Sequence, residues 1–162
     1  MESIKAISLH CNCYKYNLVM QEQKIKDVLT SCGISPSGPR TAILSYMREH
    51  FTHPTAEDIF RDLKPLVPTL SLTTVYNTLK LFVEKGLCLS ITINEKMVRF
   101  DGNTMRHGHL LCTRCGTLYD VAPTPDTSDE AAWMLDGHLV SEVHYYYKGT
   151  CSKCLSAETH MS

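Results

Sequence analysis

Two Cys-x-x-Cys pairs, Cys112/Cys115 and Cys151/Cys154, stand thirty-five residues apart in this chain, and they limit its fold more than any other feature. Two sulfurs from one tight turn can take two corners of a tetrahedron, and a second turn supplies the other two. Zn2+ held by four thiolates has closed coordination and no open position for a substrate, so the expected site is structural. Its expected role is to stabilise a small sheet domain that has little apolar core of its own. A thioredoxin-like redox role needs a single such pair at a helix N-terminus, whereas both pairs here are expected at strand ends.

Composition narrows the class further. Eight cysteines behind an N-terminus with no clear signal-peptide pattern point to metal or redox chemistry in the cytoplasm, not to a disulfide framework. No run approaches the roughly 18 apolar residues of a membrane span. With 43% hydrophobic and 20% charged residues the chain reads as globular. Its formal net charge of −1 gives no overall basic signature of a nucleic-acid binder. The split is slightly asymmetric: residues 20–102 carry ten Lys and Arg against nine Asp and Glu, and residues 103–162 carry four against seven.

Periodicity divides the chain. Ile25, Val28, Leu29 and Cys32 share one helical face that Gly33 ends. Ile43, Leu44, Met47 and Phe51 repeat at helical spacing, and Thr55 caps a third helix with acidic residues in its first turn. A fourth helix starts near Ser71 or Thr73 and stops at Gly86. LCLSITINEK and MVRFD then read as a hairpin turning at Asn94-Glu95. Helices followed by a hairpin are the order of a winged helix-turn-helix, whose last helix enters the DNA major groove. Beyond it, strands bracket the first cysteine pair, a short helix is expected over DTSDEAAWMLDG, and LVSEVHYYYKG is expected to be one long strand. The expected fold class is α+β. It comprises an N-terminal extension over 1–19, a winged-helix domain over 20–102, a small α/β domain over 103–156 with the zinc site, and a tail over 157–162, with Gly102-Asn103 as hinge.

A second group of donors is nitrogen and oxygen. His107 and His109 are two apart, so on a strand both face one side, with Asp101 just before them and Asp120 on the following strand. Such a set suits Fe2+ or Mn2+ at least as well as Zn2+. His53 lies far back in the helical half. Spacing does not bring it to the pair, and a histidine before a helix is ordinarily a surface or capping residue.

HPTAEDIF (53–60), SLTTVYNTLKLFVEKGL (71–87), RFD (99–101), HGHLLCTRCG (107–116) and GTCSKC (149–154) together resemble the ferric uptake regulator family of bacterial metalloregulators, over about residues 21–154. The resemblance implies a DNA-binding winged helix followed by a small α/β dimerisation domain over 103–156, and so a homodimer, with Zn2+ at Cys112, Cys115, Cys151 and Cys154. It also implies a regulatory Fe2+ or Mn2+ site made by His53, Asp101, His107, His109 and Asp120. Thr74, Tyr76, Asn77 and Lys80 on the recognition helix, with Arg40, are the implied contacts to double-stranded operator DNA. Aspartate at both 101 and 120 is similar to the peroxide-sensing (PerR) branch, in which iron-catalysed oxidation of His53 or His107 would release the metal. The family's additional metal site is missing ligands, since Arg106-His107-Gly108-His109 replaces its usual HHDH and Val143 stands where a histidine is common, with His144 out of register. SPSGPR (35–40) keeps only Arg40 of the usual Thr-x-x-Arg, and residues 1–19, with Cys11 and Cys13, have no counterpart.

The expected protein is thus a metal-dependent repressor and not an enzyme. An iron- or manganese-uptake repressor is the nearest alternative, and a zinc-ribbon interaction module without DNA binding is one of another class. A hydrolase built on His107, His109 and Asp120 lacks an identifiable general base.

Overall fold

A computed structural model describes residues 22–93, 97–122, 133–140 and 143–159. These fall into two compact units, with the boundary between Thr104 and Met105. The expected hairpin tip at Asn94-Glu95, the N-terminal extension with Cys11 and Cys13, and residues 126–132 of the expected short helix lie outside the described residues.

In the first unit, helix α1 is described from residue 22 to residue 31. It is followed by α2 (Gly38–Glu49), α3 (Ala56–Leu63), α4 (Leu72–Glu84) and the strands β1 (Leu89–Ile91) and β2 (Arg99–Asp101). One core serves all of them: Ile25 and Leu29 of α1, Ile43, Leu44 and Met47 of α2, Ile59 of α3, and Val75, Leu79 and Phe82 of α4 are buried together with Cys88 and Phe100. Each such side chain contributes roughly 1.5–3 kcal/mol by leaving water. Phe51 departs from its expected place in this face and is 65% exposed. The physical reason is the end of α2 at Glu49, where His50 turns to extended backbone and helical spacing no longer applies.

The helix ends follow the chemistry of their residues. Gly86, at φ +67, lets the Leu87 N–H reach the Phe82 carbonyl and its own N–H reach Val83, so orphan carbonyls of α4 are satisfied. Ser71 caps the start of α4 by accepting from the Thr74 N–H at 3.1 Å. On α3, Thr55 and Asp58 cap one another reciprocally. The Thr55 backbone N–H is the first reason that the Asp58 carboxyl lies below its ordinary range. A depressed carboxyl stabilises the fold above its unfolded pKa of about 3.9 and loses that contribution as pH falls through the lower folded value. Thr55→Ala is therefore expected to cost about 1 kcal/mol at neutral pH, measured by urea denaturation; an unchanged midpoint would show the cap to be idle.

The second unit is a small sheet with little apolar interior. Its strands are β3 (Gly108–Cys112), β4 (Leu118–Val121), β5 (Trp133–Leu135), β6 (His138–Val140) and β7 (Tyr146–Gly149), followed by helix α5 (Ser152–Thr159). β3 is central, antiparallel to β4 and parallel to β7, while β5 and β6 form a separate hairpin. Two expectations are corrected here. The short helix does not extend over Trp133–Leu135, which pair with His138–Val140 around a turn in which Asp136 and Gly137 take positive φ. The long strand is also divided, because Leu139 and Val140 pair with β5 and regular strand resumes only at Tyr146.

Candidate metal centres and recognition helix

The four-cysteine cluster is built by two short hydrogen-bonded turns. Cys112 ends β3, its N–H reaching the Thr117 carbonyl, and the chain reverses with the Gly116 N–H donating to the Cys112 carbonyl. Gly116 sits at φ +71, a conformation that costs glycine little. Cys151 follows β7, and Cys154 lies in the first turn of α5. The second pair therefore spans the step from the end of β7, where it is expected, into the start of α5, a helix that was not expected. Parallel pairing of Cys112 with Gly149 brings the two turns together.

Sulfurs bound about 2.3 Å from a tetrahedral Zn2+ stand about 3.8 Å from one another. Cys115 Sγ and Cys151 Sγ are 3.8 Å apart, Cys112 Sγ and Cys154 Sγ 3.9 Å, and all four sulfurs lie within 4.8 Å of one another. None of the four is in a disulfide. Backbone N–H groups, first that of Cys115 and then that of Cys151, draw the Cys112 thiol down to about 6. The Tyr119 hydroxyl is the main group lowering Cys151. Cys154 is pushed up to about 12, foremost by its contact with Cys151. Thiolates so close repel one another, so the protons are shared unequally, and a divalent cation is what lets all four ionise. The donor set fits a closed, thiolate-bound ion.

The nitrogen and oxygen donors form one group in each unit. In the first, β2 is stitched to the loop before α3: the Phe100 N–H donates to the Pro54 carbonyl at 2.9 Å, and Arg99 Nη1 donates to the His53 carbonyl at 3.0 Å. This brings two residues distant in sequence together. His53 Nε2 is 4.0 Å from Asp101 Oδ2, with both side chains almost fully buried. The separation exceeds a hydrogen bond and matches two donors, each about 2.1 Å from one cation, meeting it at a wide angle. His53 is no surface residue: it is 2% exposed and takes φ +52, a left-handed conformation costing about 1–3 kcal/mol that surrounding contacts must hold. The Asn103 N–H fixes Asp101 by donating to Oδ1 at 2.8 Å.

In the second unit, cross-strand pairing sets Asp120 directly opposite His109, and His107 precedes β3 on the same side. Two imidazole nitrogens each about 2.1 Å from one ion and at right angles to it lie about 3.0 Å apart. His107 Nε2 and His109 Nε2 are 3.0 Å apart, and Asp120 Oδ1 is 3.3 Å from the first and 3.8 Å from the second. His107 Nδ1 meets the Met105 carbonyl at 2.6 Å. With Nδ1–H as donor in that bond, the Nε2 lone pair is left for a ligand. Spacing in the sequence shows the 107/109 pair, but not the Arg99 and Met105 contacts that orient the ligands.

Helix α4 presents the residues named for DNA contact on its outer face. Tyr76, Asn77 and Lys80 are exposed and Thr74 is half-buried, opposite the buried Val75, Thr78, Leu79 and Phe82. Tyr76 donates its hydroxyl to Glu57 Oε1 at 2.6 Å. Arg40, whose Nη1 donates to the Ser35 carbonyl at 2.8 Å, shares a cleft with Ser37, Thr74 and Asn77. At the positions where the family's additional metal site is expected to be missing, Arg106 lies over the Tyr145 ring, 5.5 Å from its centroid, and His144 stacks on Tyr146.

Helices closed by a hairpin, then a four-thiol sheet unit, define a winged-helix protein with an appended metal-binding module. The chain belongs to the ferric uptake regulator family, whose model matches residues 31–133. It is 35% identical over 135 residues to the peroxide operon regulator of Bacillus subtilis, covering 83% of this chain and 93% of that relative. It is 32% identical over 127 residues to the peroxide-responsive repressor PerR of Staphylococcus epidermidis, covering 78% and 85% respectively. Among solved structures, the fold is similar to the ferric uptake regulators of Vibrio cholerae (TM-score 0.59, 21% identity, 78% of this chain and 98% of that one) and Helicobacter pylori (0.62, 15%, 85% and 93%). Among the described residues, no helix is long and apolar enough to cross a membrane.

Proposed function

We propose that this protein is a metal-dependent transcriptional repressor that binds operator DNA as a homodimer and is released by peroxide. The observation that carries the reading is the presence in each unit of a nitrogen–oxygen donor group at coordination distance: His53 with Asp101, and His107 with His109 and Asp120. Fe2+ or Mn2+ held by all five side chains would tie the DNA-binding unit to the sheet unit. If the tied arrangement alone sets two recognition helices one DNA turn apart, metal and operator binding strengthen each other reciprocally. Zn2+ is the proposed occupant of the four-cysteine cluster, where it has a structural role. The exposed Met134, Leu135 and Leu139 of the β5–β6 hairpin support association of two copies.

Arg40, Thr74, Tyr76, Asn77 and Lys80 are the proposed DNA contacts. The outward face of α4 that carries the last four, and the cleft that Arg40 of α2 shares with Thr74 and Asn77, support this, as does the resemblance to the peroxide operon regulator and the PerR repressor. Fe2+ held by His53, Asp101, His107, His109 and Asp120 would supply the electrons that cleave peroxide, one oxygen adding to an imidazole carbon and the other leaving as water, and His53 and His107 are the proposed sites of oxidation. Loss of either imidazole as a ligand would weaken metal binding and so DNA binding. After brief peroxide treatment of the Fe2+-loaded protein, peptide mass spectrometry is expected to show one added oxygen on His53 or His107. The Mn2+-loaded protein should show neither. Oxidation confined to cysteines would replace this reading with a thiol switch.

A further inference from the structure

Gly102 lies between Asp101, proposed above as a ligand, and Asn103, whose N–H fixes that ligand's Oδ1 at 2.8 Å. Its other side lies against helix α2. A Cβ built on Gly102 would come within 2.2 Å of the Met47 carbonyl oxygen and 2.8 Å of the Met47 carbonyl carbon. Both are backbone atoms of a helix whose Met47 side chain is fully buried in the core, so no side-chain rotation relieves the contact. Met47 also belongs to the last turn of α2, where carbonyls lack partners within the helix, and the Gly102 Cα–H covers that oxygen. Even one methyl group must therefore push the end of β2 away from α2 or deform α2.

We infer that Gly102 is a positioning residue for the regulatory metal: close packing of its bare Cα on the Met47 carbonyl sets where Asp101 stands relative to His53. The inference rests on the reading of His53 and Asp101 as ligands. The displacement would be transmitted directly, because Asp101 and Asn103 are the chain neighbours of Gly102 and Asp101 is 2% exposed, with no room for a compensating swing. A buried carboxylate 4.0 Å from its partner imidazole is close to the widest span that two donors about 2.1 Å from one ion can bridge, so lengthening it by more than a few tenths of an ångström removes the ion's position. The donor types remain, but their convergence is lost.

The test is Mn2+ titration of the full-length protein, with its cysteine-bound metal retained, followed by electron paramagnetic resonance of free Mn2+. Four variants are compared with wild type: Gly102→Ala, Asn103→Pro, Leu29→Ala and His53→Asn. Asn103→Pro removes the N–H that fixes Asp101 without touching Met47, so it carries the test if Gly102→Ala does not fold. Leu29→Ala destabilises the same unit through its core, away from the ligands. Gly102→Ala and Asn103→Pro are each expected to weaken Mn2+ binding at least tenfold, and Leu29→Ala less than twofold. Wild-type affinity in the first two, or an equal loss in Leu29→Ala, overturns the inference. If His53→Asn also binds Mn2+ like wild type, the ligand assignment itself has failed, which is a separate result.

Discussion

Cys112→Ser is expected to empty the four-cysteine cluster and unfold the sheet unit while leaving the helical unit intact. Cys112 carries more of the local structure than its three partners. It ends the central strand β3, it is fully buried, and its sulfur accepts the Cys151 N–H at 3.3 Å. A serine hydroxyl is a poor substitute for thiolate toward a soft-leaning ion, and one lost corner leaves the tetrahedron open and the ion more weakly held. Structural Zn2+ typically contributes about 10–16 kcal/mol of apparent binding free energy to a small domain. Little else in this unit replaces it: among its described residues, the buried apolar side chains are Cys112, Leu118 and Cys151. Metal analysis should show the loss of one equivalent. Limited proteolysis should cut within residues 105–159 and spare the core around Leu79 and Phe82. A variant with full metal content and wild-type protease resistance would mean that the cluster is not what holds the sheet together.

His53→Asn is expected to lower Mn2+-dependent operator affinity about a hundredfold, the upper range for coupling between two sites, with metal-free affinity unchanged. Asparagine is the informative substitution. It tolerates the left-handed backbone at this position, so loss of the imidazole is separated from the strain that alanine would add. Its shorter side chain cannot place a donor where His53 Nε2 lies. Gel shifts with and without Mn2+ give the two affinities. Equal losses with and without metal would make His53 a structural residue of the winged helix, and the proposed bridge between the units would fall.

Much of this fold was legible because local chemistry dictated it. Thr55, Ser71, Gly33 and Gly86 each mark a helix end through a hydrogen bond that their residue type can supply. The cysteine pairs identified a tetrahedral cluster because spacing alone puts two sulfurs on one turn. The histidine pair was legible for the same reason. His53 was legible only through the family resemblance carried by HPTAEDIF, because its neighbour Asp101 is brought to it by the Arg99 and Phe100 hydrogen bonds, and no periodicity reports contacts over such a separation. Trp133–Leu135 was misread as helix because an apolar stretch that short fits either period. Phe51 was misread because helical spacing continues in the sequence beyond the point where His50 ends the helix. Helix α5 was not legible because its few apolar residues form no pronounced helical face and the second cysteine pair follows closely on β7.

The parallel pairing of β3 with β7 has a consequence for the nascent chain. The central strand cannot be completed until its partner is made, and Cys112 waits for Cys154, forty-two residues later. At about 5–20 residues per second, that delay is roughly 2–8 seconds of translation. The helical unit precedes this interval and draws on its own core. The first pair of thiols is made, and passes that interval, before its partners exist. Zinc supply and oxidant level during synthesis would then decide what fraction of new molecules ever matures, ahead of any signal the finished protein receives.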